Sequence, residues 1–413
     1  FAALGDRTRL TRFRREAVLH VAHFTNAYLP VVSGVVRAVS TLRKSLTELG
    51  HNVFIFAQED DYQDDQPFIF RYRSLPLPQP IDAPAAIPVS PFMDRLIPIL
   101  KLDVIHSHHP ILLGQVAANK AEELNMPLLF TFHTHYREYT RYFPVSQEAL
   151  QKRLKETINH WLRDYMRKCQ HIVVPSRSMG DILVRDYGLQ SRYSVIPTGI
   201  DLAPFRDVDG KSLRFRMGWG ADQVMVSVGR LAPEKNWRTL LQAAGLVIQR
   251  RPDFRAVIIG DGPERHALQD FCFQSGISEK VEFTGKLPFS QIPQYLDAAD
   301  LFGFASTAET QGLVTLEALA AGLPVVAVEA SGTRDILEHE RQGLLVPNNP
   351  QPLAEAICKL IENKALMASF RDAAVERAKA FDIQPLTKKL VSVYEQAIED
   401  KRNNRFVEIG TLS

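Results

Sequence analysis

Residues 301–324 read Leu301-Phe302-Gly303-Phe304-Ala305-Ser306-Thr307-Ala308-Glu309-Thr310-Gln311-Gly312-Leu313-Val314-Thr315-Leu316-Glu317-Ala318-Leu319-Ala320-Ala321-Gly322-Leu323-Pro324. The apolar run 301–305 has the length of a strand buried on both faces. Residues 312–321 spell a short Ala/Leu helix, which Gly322 and Pro324 end. A loop that leads from a buried strand into a helix is where a parallel sheet binds its ligand. The N–H groups of Gln311, Gly312 and Leu313 would point outward from that helix start, suited to an anion or to sugar oxygens. Gly312 lets the backbone come close to the ligand. Glu309 sits in the loop and Glu317 in the second helical turn, so both can face one cleft. A carboxylate accepts from two vicinal hydroxyls, which lets one glutamate hold a ribose diol and the other a hexose diol.

The same strand-then-helix unit recurs on either side. Strand-like runs are expected at 18–25, 52–58, 104–108, 128–133, 171–175 and 193–197, then at 224–229, 255–260, 281–285, 301–305, 324–328 and 343–346. They are continuous rather than alternating, as parallel strands covered on both faces should be. Between them lie amphipathic stretches. In 35–49, Val35, Val39, Leu42, Leu46 and Leu49 share a stripe, and Gly50 stops the helix. Alternation of this kind implies doubly wound α/β sheets. It restarts after Ile200, and 198–220 offers turn residues but no convincing strand. The expected plan is a basic tail over 1–16, a first Rossmann-like domain over 17–200, a second over 201–380, and a terminal helix and tail over 381–413 returning toward the first.

At 413 residues the chain is too long for one ordinary α/β core. An apolar fraction of 45% excludes bulk disorder, and a net charge of +2 excludes a general nucleic-acid binder. The charge is uneven, however. Arg7, Arg9, Arg12, Arg14 and Arg15 stand together without an acid, a solvated tail able to touch phosphates or lipid headgroups. Cys169, Cys272 and Cys358 are isolated, which fits neither a disulfide framework nor a zinc site and implies a reducing compartment. No signal-peptide or membrane-spanning run is present, so a cytoplasmic protein is expected.

Residues 228–236 are the second chemical signal: Val228-Gly229-Arg230-Leu231-Ala232-Pro233-Glu234-Lys235-Asn236. They also pass from strand to helix. Arg230 and Lys235 stand where a helix dipole disfavours cations, which points to an anion held between them. A diphosphate suits two such donors, and it is the leaving group of sugar transfer from a nucleotide sugar. The two cations would stabilise the charge that grows on it.

Together, Gly229-Arg230 with Glu234-Lys235-Asn236, the Gly260-Asp261-Gly262-Pro263 turn, Gly285, the Glu309/Glu317 pair and Gly322-Leu323-Pro324-Val325-Val326 resemble the retaining glycosyltransferases of family 4. The resemblance runs over about residues 18–380. It implies the GT-B fold, two Rossmann-like domains facing a central cleft, and a hexosyltransferase. It also implies roles in the first half. Gly34, with Ser33 where many members have a first glycine, brings backbone N–H groups to the donor phosphate. His133, in Thr131-Phe132-His133-Thr134-His135, contacts the transferred sugar. Residues 195–201 match the hinge-side motif, with Thr198 where asparagine is frequent. Base recognition is expected around Lys286.

The loop 132–142 resembles that of diacylglycerol glucosyltransferases, which places Tyr136, Arg137 and Tyr139 at the acceptor. The implied donor is UDP-glucose and the implied acceptor a lipid on the cytosolic membrane face. A soluble sugar or sugar phosphate, phosphatidylinositol, and sugar-nucleotide epimerisation on the same fold remain the alternatives. The implied route retains the anomeric configuration by front-face attack, with a phosphate oxygen taking the acceptor proton. No cofactor and no metal are required by this design. Asp60, Asp61, Asp64 and Asp65 are expected to be solvated surface. The helical stretch 150–168, with Leu150, Leu154, Ile158, Trp161, Leu162 and Tyr165 on one stripe, is expected to face the core, its basic side offering peripheral membrane contact. Phe92, Met93, Leu96 and Ile97 form a second apolar group that either packs or lines the acceptor entrance.

Overall fold

The computed structural model of the chain describes residues 17–31, 33–59, 64, 66–75, 85–136 and 148–411. The basic tail 1–16 lies outside them.

The first half carries β1 (His20–Thr25), β2 (Asn52–Gln58) and β3 (Ile69–Tyr72), a small antiparallel ribbon of β4 (Ser74–Leu75) and β5 (Ala85–Ala86), then β6 (Val104–Ser107), β7 (Leu128–Thr131), β8 (His171–Val174) and β9 (Tyr193–Val195). Seven of these form a parallel sheet in the order β3-β2-β1-β6-β7-β8-β9. The second half forms a six-stranded parallel sheet from β10 (Gln223–Val228), β11 (Phe254–Ile259), β12 (Val281–Gly285), β13 (Leu301–Phe304), β14 (Val325–Val328) and β15 (Gly343–Val346), in the order β12-β11-β10-β13-β14-β15. Both orders reverse direction once, between β1 and β6 and between β10 and β13. A parallel sheet opens its ligand crevice at that switch, beyond the strand C-termini.

Side chains alternate across each strand, and both faces are covered. In the first sheet Phe24, Phe56 and Phe130 pack on one face, and Val21, Ile55 and Leu129 on the other. In the second, Met225 and Ile258 oppose Val226 and Val257. Each fully buried side chain of this size contributes about 1.5–3 kcal/mol, so the strands are fixed by burial rather than by local propensity. The chain then crosses back. Ile200 N–H donates to Phe381 O at 2.9 Å and Ile383 N–H to Ile200 O at 3.1 Å. The helix Ile383–Arg402 buries Leu386, Leu390 and Tyr394 in the core of the first half, against Val21 and Val39.

Several expectations change in detail. The stretch 198–220 has no strand, but it holds a 3-10 turn, Ala203–Phe205, and a helix, Gly210–Arg216, capped by Asp209. The runs 128–133 and 224–229 stop short, which leaves His133 and Gly229 in loops beyond the strand ends. The edge strand β3 and the ribbon β4–β5 are too short and too exposed to give an apolar run. Asp64 is no solvated carboxylate: it pairs with Arg71 at 2.6 Å, with both side chains largely shielded. Asp60, Asp61 and Asp65 lie outside the described residues. In the helix Glu148–Met166, Leu162 and Tyr165 are buried and Ile158 and Trp161 pack against the same core. Leu150 and Leu154 lie outside the described side chains. Met93 and Ile97 join the core while Phe92 faces out, 63% exposed.

Candidate active site

The four sequence signals lie beyond strand C-termini: three follow β1, β10 and β13, which border the two switch points, and the fourth follows β7. Gly229 and Arg230 follow β10, and residues 305–312 follow its neighbour β13. Ser33 and Gly34 follow β1, and His133 follows β7. The two C-terminal edges face each other. Ser176 Oγ donates to Thr310 O at 2.8 Å, and Ser178 N–H to Asp335 at 3.1 Å, both across the domain boundary.

Lys235 closes a 3-10 turn, Pro233–Lys235, and its ammonium donates to Glu309. Both side chains are partly buried, 25% and 12% exposed, so this is a shielded pair rather than a surface one. Gly312 takes φ +88°, a left-handed conformation open to glycine at little strain, and from it the helix Leu313–Ala320 departs. That turn aims the helix so that Glu317 lies inward, 1% exposed. Arg37, on the first-half helix Gly34–Glu48, reaches across and pairs with Glu317. Its guanidinium also lies 4.3 Å from the centroid of the Phe289 ring, a cation–π contact. Burial raises the Glu317 pKa, and the Arg37 charge opposes the rise. Among the described residues Arg37 is the one partner of this carboxylate, which leaves it acceptor capacity to spare. A buried carboxylate with unused acceptor capacity is rare in a purely structural role.

Ser33 caps the Gly34–Glu48 helix, its Oγ accepting from Val36 N–H at 3.2 Å. Gly34 opens that helix, and a Cβ there would meet nothing within 4 Å, so its backbone is open to a ligand. Arg230 is exposed; its carbonyl accepts from Trp237 Nε1 at 2.8 Å, which holds the loop, and no ion pair is recorded for its guanidinium among the described residues. Lys286 is exposed in the loop that leads to Phe289. The side chain of Gln311 turns away from the backbone N–H groups of its own loop and bonds across the domain boundary. Its side-chain amide donates to Thr198 O at 2.9 Å and accepts from Thr198 N–H at 2.8 Å, tying the two halves together. A 3% exposed amide must be satisfied, and the hinge-side backbone satisfies it. Leu313 is partly buried at the helix start.

His133 is partly exposed at the cleft, and its Nε2 lies 2.9 Å from His108 Nδ1. Burial holds its pKa at about 3, so the ring is neutral. His23, His106 and His108 form a buried group whose ring nitrogens lie within 4.8 Å of one another. His106 is already bonded to Tyr394 Oη at 2.8 Å and Thr131 Oγ1 at 2.7 Å, and His23 to His108 at 2.7 Å. Both His106 nitrogens are thus bonded to hydroxyls, and His23 and His108 are bonded to each other. Tyr136 is partly buried against the Phe132 ring; Arg137 and Tyr139 lie outside the described residues.

Arg37 was not singled out by the sequence. Its signal is an arginine near a helix N-terminus, inside an apolar stripe, where the dipole and the packing both disfavour it. Ser176 and Asp335 carry no local signal at all, because their partners lie more than 130 residues away.

Two facing doubly wound sheets with these groups between them define a GT-B glycosyltransferase. Two family models match the chain: Glycosyltransferase Family 4 over residues 32–204 and Glycosyl transferases group 1 over residues 211–379. An alpha-monoglucosyldiacylglycerol synthase of Streptococcus pneumoniae is 33% identical over 319 residues, 75% of this chain and 71% of that protein. A second, from Acholeplasma laidlawii, is 28% identical over 405 residues, 94% and 99% of the two chains. The Anabaena protein HepE, crystallised with UDP, superposes with a TM-score of 0.73 at 20% identity, covering 91% of this chain and 100% of that one. The chain belongs to glycosyltransferase family 4 and is a glycosyltransferase. No helix among its described residues is long and apolar enough to cross a membrane.

Proposed function

We propose that this enzyme transfers glucose from UDP-glucose, with retention of configuration, to a lipid acceptor such as 1,2-diacylglycerol at the cytosolic membrane face. The observation that carries the donor site is the buried Glu317 carboxylate, which keeps acceptor capacity and, among the described residues, meets only Arg37. A ribose diol supplies the two donors it lacks, with Arg37 moving aside. Lys235 then exchanges its Glu309 partner for the diphosphate. Arg230, exposed on the same loop, adds a second cation, and the Gly34 N–H approaches from the opposite edge.

Charge develops on the departing diphosphate, and these groups are set in place before it forms. Released from Lys235, Glu309 orients the hexose hydroxyls. The acceptor hydroxyl attacks on the face from which the diphosphate leaves. A phosphate oxygen takes its proton, so the reaction needs no protein base. Leu313 N–H and the Lys286 loop complete the donor pocket, while Gln311 acts through the hinge. The names of the Streptococcus and Acholeplasma relatives support a diacylglycerol-linked acceptor. Peripheral contact fits a protein that must meet such an acceptor at a surface, with Tyr136, Arg137 and Tyr139 on the acceptor side.

The test offers labelled UDP-glucose, UDP-galactose and GDP-mannose to the purified protein. Acceptors are vesicles containing diacylglycerol, vesicles containing phosphatidylinositol, and soluble hexose phosphates. An α-linked glucosyldiacylglycerol is expected. Product only with soluble acceptors would overturn the lipid reading, and release of an epimerised sugar nucleotide would overturn the transfer itself.

A further inference from the structure

A row of three imidazoles runs from the cleft into the first domain. His133 Nε2 stands 2.9 Å from His108 Nδ1, and His108 Nε2 stands 2.7 Å from His23 Nδ1. The rings are stacked: His108 on His133 at 5.2 Å between centroids, and His23 on His108 at 5.1 Å. At the inner end, His23 Nε2 is buried and has no hydrogen-bond partner among the described residues. At the outer end, His133 Nδ1 forms no recorded bond among the described residues, and the residue is partly exposed. Each gap holds one proton, and burial keeps all three rings neutral: His23 and His133 lie at about 3, and His108 well below 6.5. A neutral imidazole has one N–H and one lone pair. The row therefore has only two consistent proton arrangements.

In one, every N–H points inward, and the row ends in a buried N–H on His23 with no acceptor. In the other, every N–H points toward the cleft. His23 Nδ1–H donates to His108, His108 Nδ1–H donates to His133, and His133 Nδ1–H faces the ligand. A buried N–H without an acceptor is rarer in proteins than an under-used acceptor, and the second arrangement avoids one. It leaves a bare lone pair on His23 and puts the outermost proton where water or a hydroxyl can accept it.

We propose that His108 and His23 are positioning residues that fix the tautomer of His133, so that it presents Nδ1–H, a hydrogen-bond donor, to a hydroxyl oxygen of the transferred sugar. The assignment to a sugar oxygen rests on the function proposed above; the tautomer itself does not. Free neutral histidine favours the opposite tautomer, with the proton on Nε2, so the row works against the intrinsic preference. His133 then reads the sugar as an acceptor only and takes no proton from it, which agrees with a reaction that uses no protein base.

The experiment is nitrogen NMR of the full chain with labelled histidine, with His133 assigned by its loss in His133→Asn. The expected spectrum shows a protonated Nδ1 and a bare Nε2 for His133. A protonated Nε2 in the unsubstituted protein would overturn the proposal whatever the activity. A protonated Nδ1 in a protein without transferase activity would leave it standing and overturn the function instead. Kinetics give a second readout. His108→Leu removes the donor to His133 and should lower kcat about tenfold, the loss of roughly one hydrogen bond, with a smaller change in the donor KM. His108→Asn places an amide near the Nδ1 position and should restore most of that loss. Equal damage from both variants, with an unchanged His133 tautomer, would reject the positioning role.

Discussion

Glu317 bears a carboxylate in a site closed to water, and among the described residues only Arg37 answers its charge. The two partners are not equivalent. Removing the arginine leaves a buried charge unpaired, at a cost of about 3 kcal/mol, whereas Glu317→Gln removes the charge and leaves a partly solvated guanidinium. Urea unfolding should therefore rank the unsubstituted protein above Glu317→Gln, and Glu317→Gln above Arg37→Ala. The reverse order for the two variants would show that Arg37 does not hold this carboxylate. Donor affinity should fall in Glu317→Gln all the same, because an amide accepts from a diol through one oxygen rather than two.

The histidines set a second expectation at this scale. Burial depresses His23 and His133 to about 3, and His109 and His171 to about 4, against 6.5 when unfolded. For a base with a lowered folded pKa, the unfolded chain binds more protons below 6.5. Stability is then lost as pH falls from about 6.5 toward 4, by up to about 1.4 kcal/mol per pH unit for each ring. Melting temperature should drop steeply between pH 7.5 and pH 5, in the range where an exposed histidine would do nothing. A flat profile across that range would mean that these rings take up protons in the native state. Single residues were the least legible level. Glu309, Lys235 and Glu317 stood out by type and spacing, but Arg37 and the inner histidines acquire meaning only from neighbours far away in sequence.

At the scale of elements, burial made the sheets readable and polarity hid the loops. Each major strand is a continuous apolar run because both faces are covered, and 52–58, 281–285 and 343–346 end where the sequence placed them. The loop after β13 shows the opposite. It was legible as a strand-to-helix loop, yet its support comes from the helix Ser331–Ile336. A Cβ on Gly332 would lie 2.5 Å from Glu309 O and 2.9 Å from Gln311 N, so the helix and the loop touch backbone to backbone. No local pattern announces such a contact. Gly332→Ala should push residues 309–311 out of place while leaving the distant sheet intact. We expect a loss of stability of about 1–3 kcal/mol and a fall in kcat/KM of at least tenfold, since loop displacement moves Glu309 away from Lys235 and from the hexose it is proposed to orient. Calorimetry and initial rates check the two parts. Normal turnover in Gly332→Ala would mean that the position of Glu309 is not set from this side.

For the whole molecule, the sequence showed two α/β halves and a returning helix but not how the halves hold each other. That information is spread over pairs that the chain does not bring together locally. The hinge side is fixed by backbone, with Ile200 bonded to Phe381 and Ile383. Toward the cleft the ties are polar: Gln311 to Thr198, Ser176 to Thr310, Ser178 to Asp335 and Ser331, and Arg37 to Glu317. Polar ties of this kind contribute about 0.5–1.5 kcal/mol each, little enough for a bound donor to replace. Gln311 makes two of them with one side chain. Gln311→Leu should therefore shift the unliganded protein toward an open form without unfolding either half. Small-angle scattering should show a larger radius of gyration for Gln311→Leu, and saturating UDP should bring it back toward the value of the unsubstituted protein. The apparent affinity for UDP should weaken by the factor by which the closed population falls, while kcat at saturation changes little. If size and affinity are both unchanged, Gln311 does not govern closure, and the buried amide is explained by packing between the halves alone.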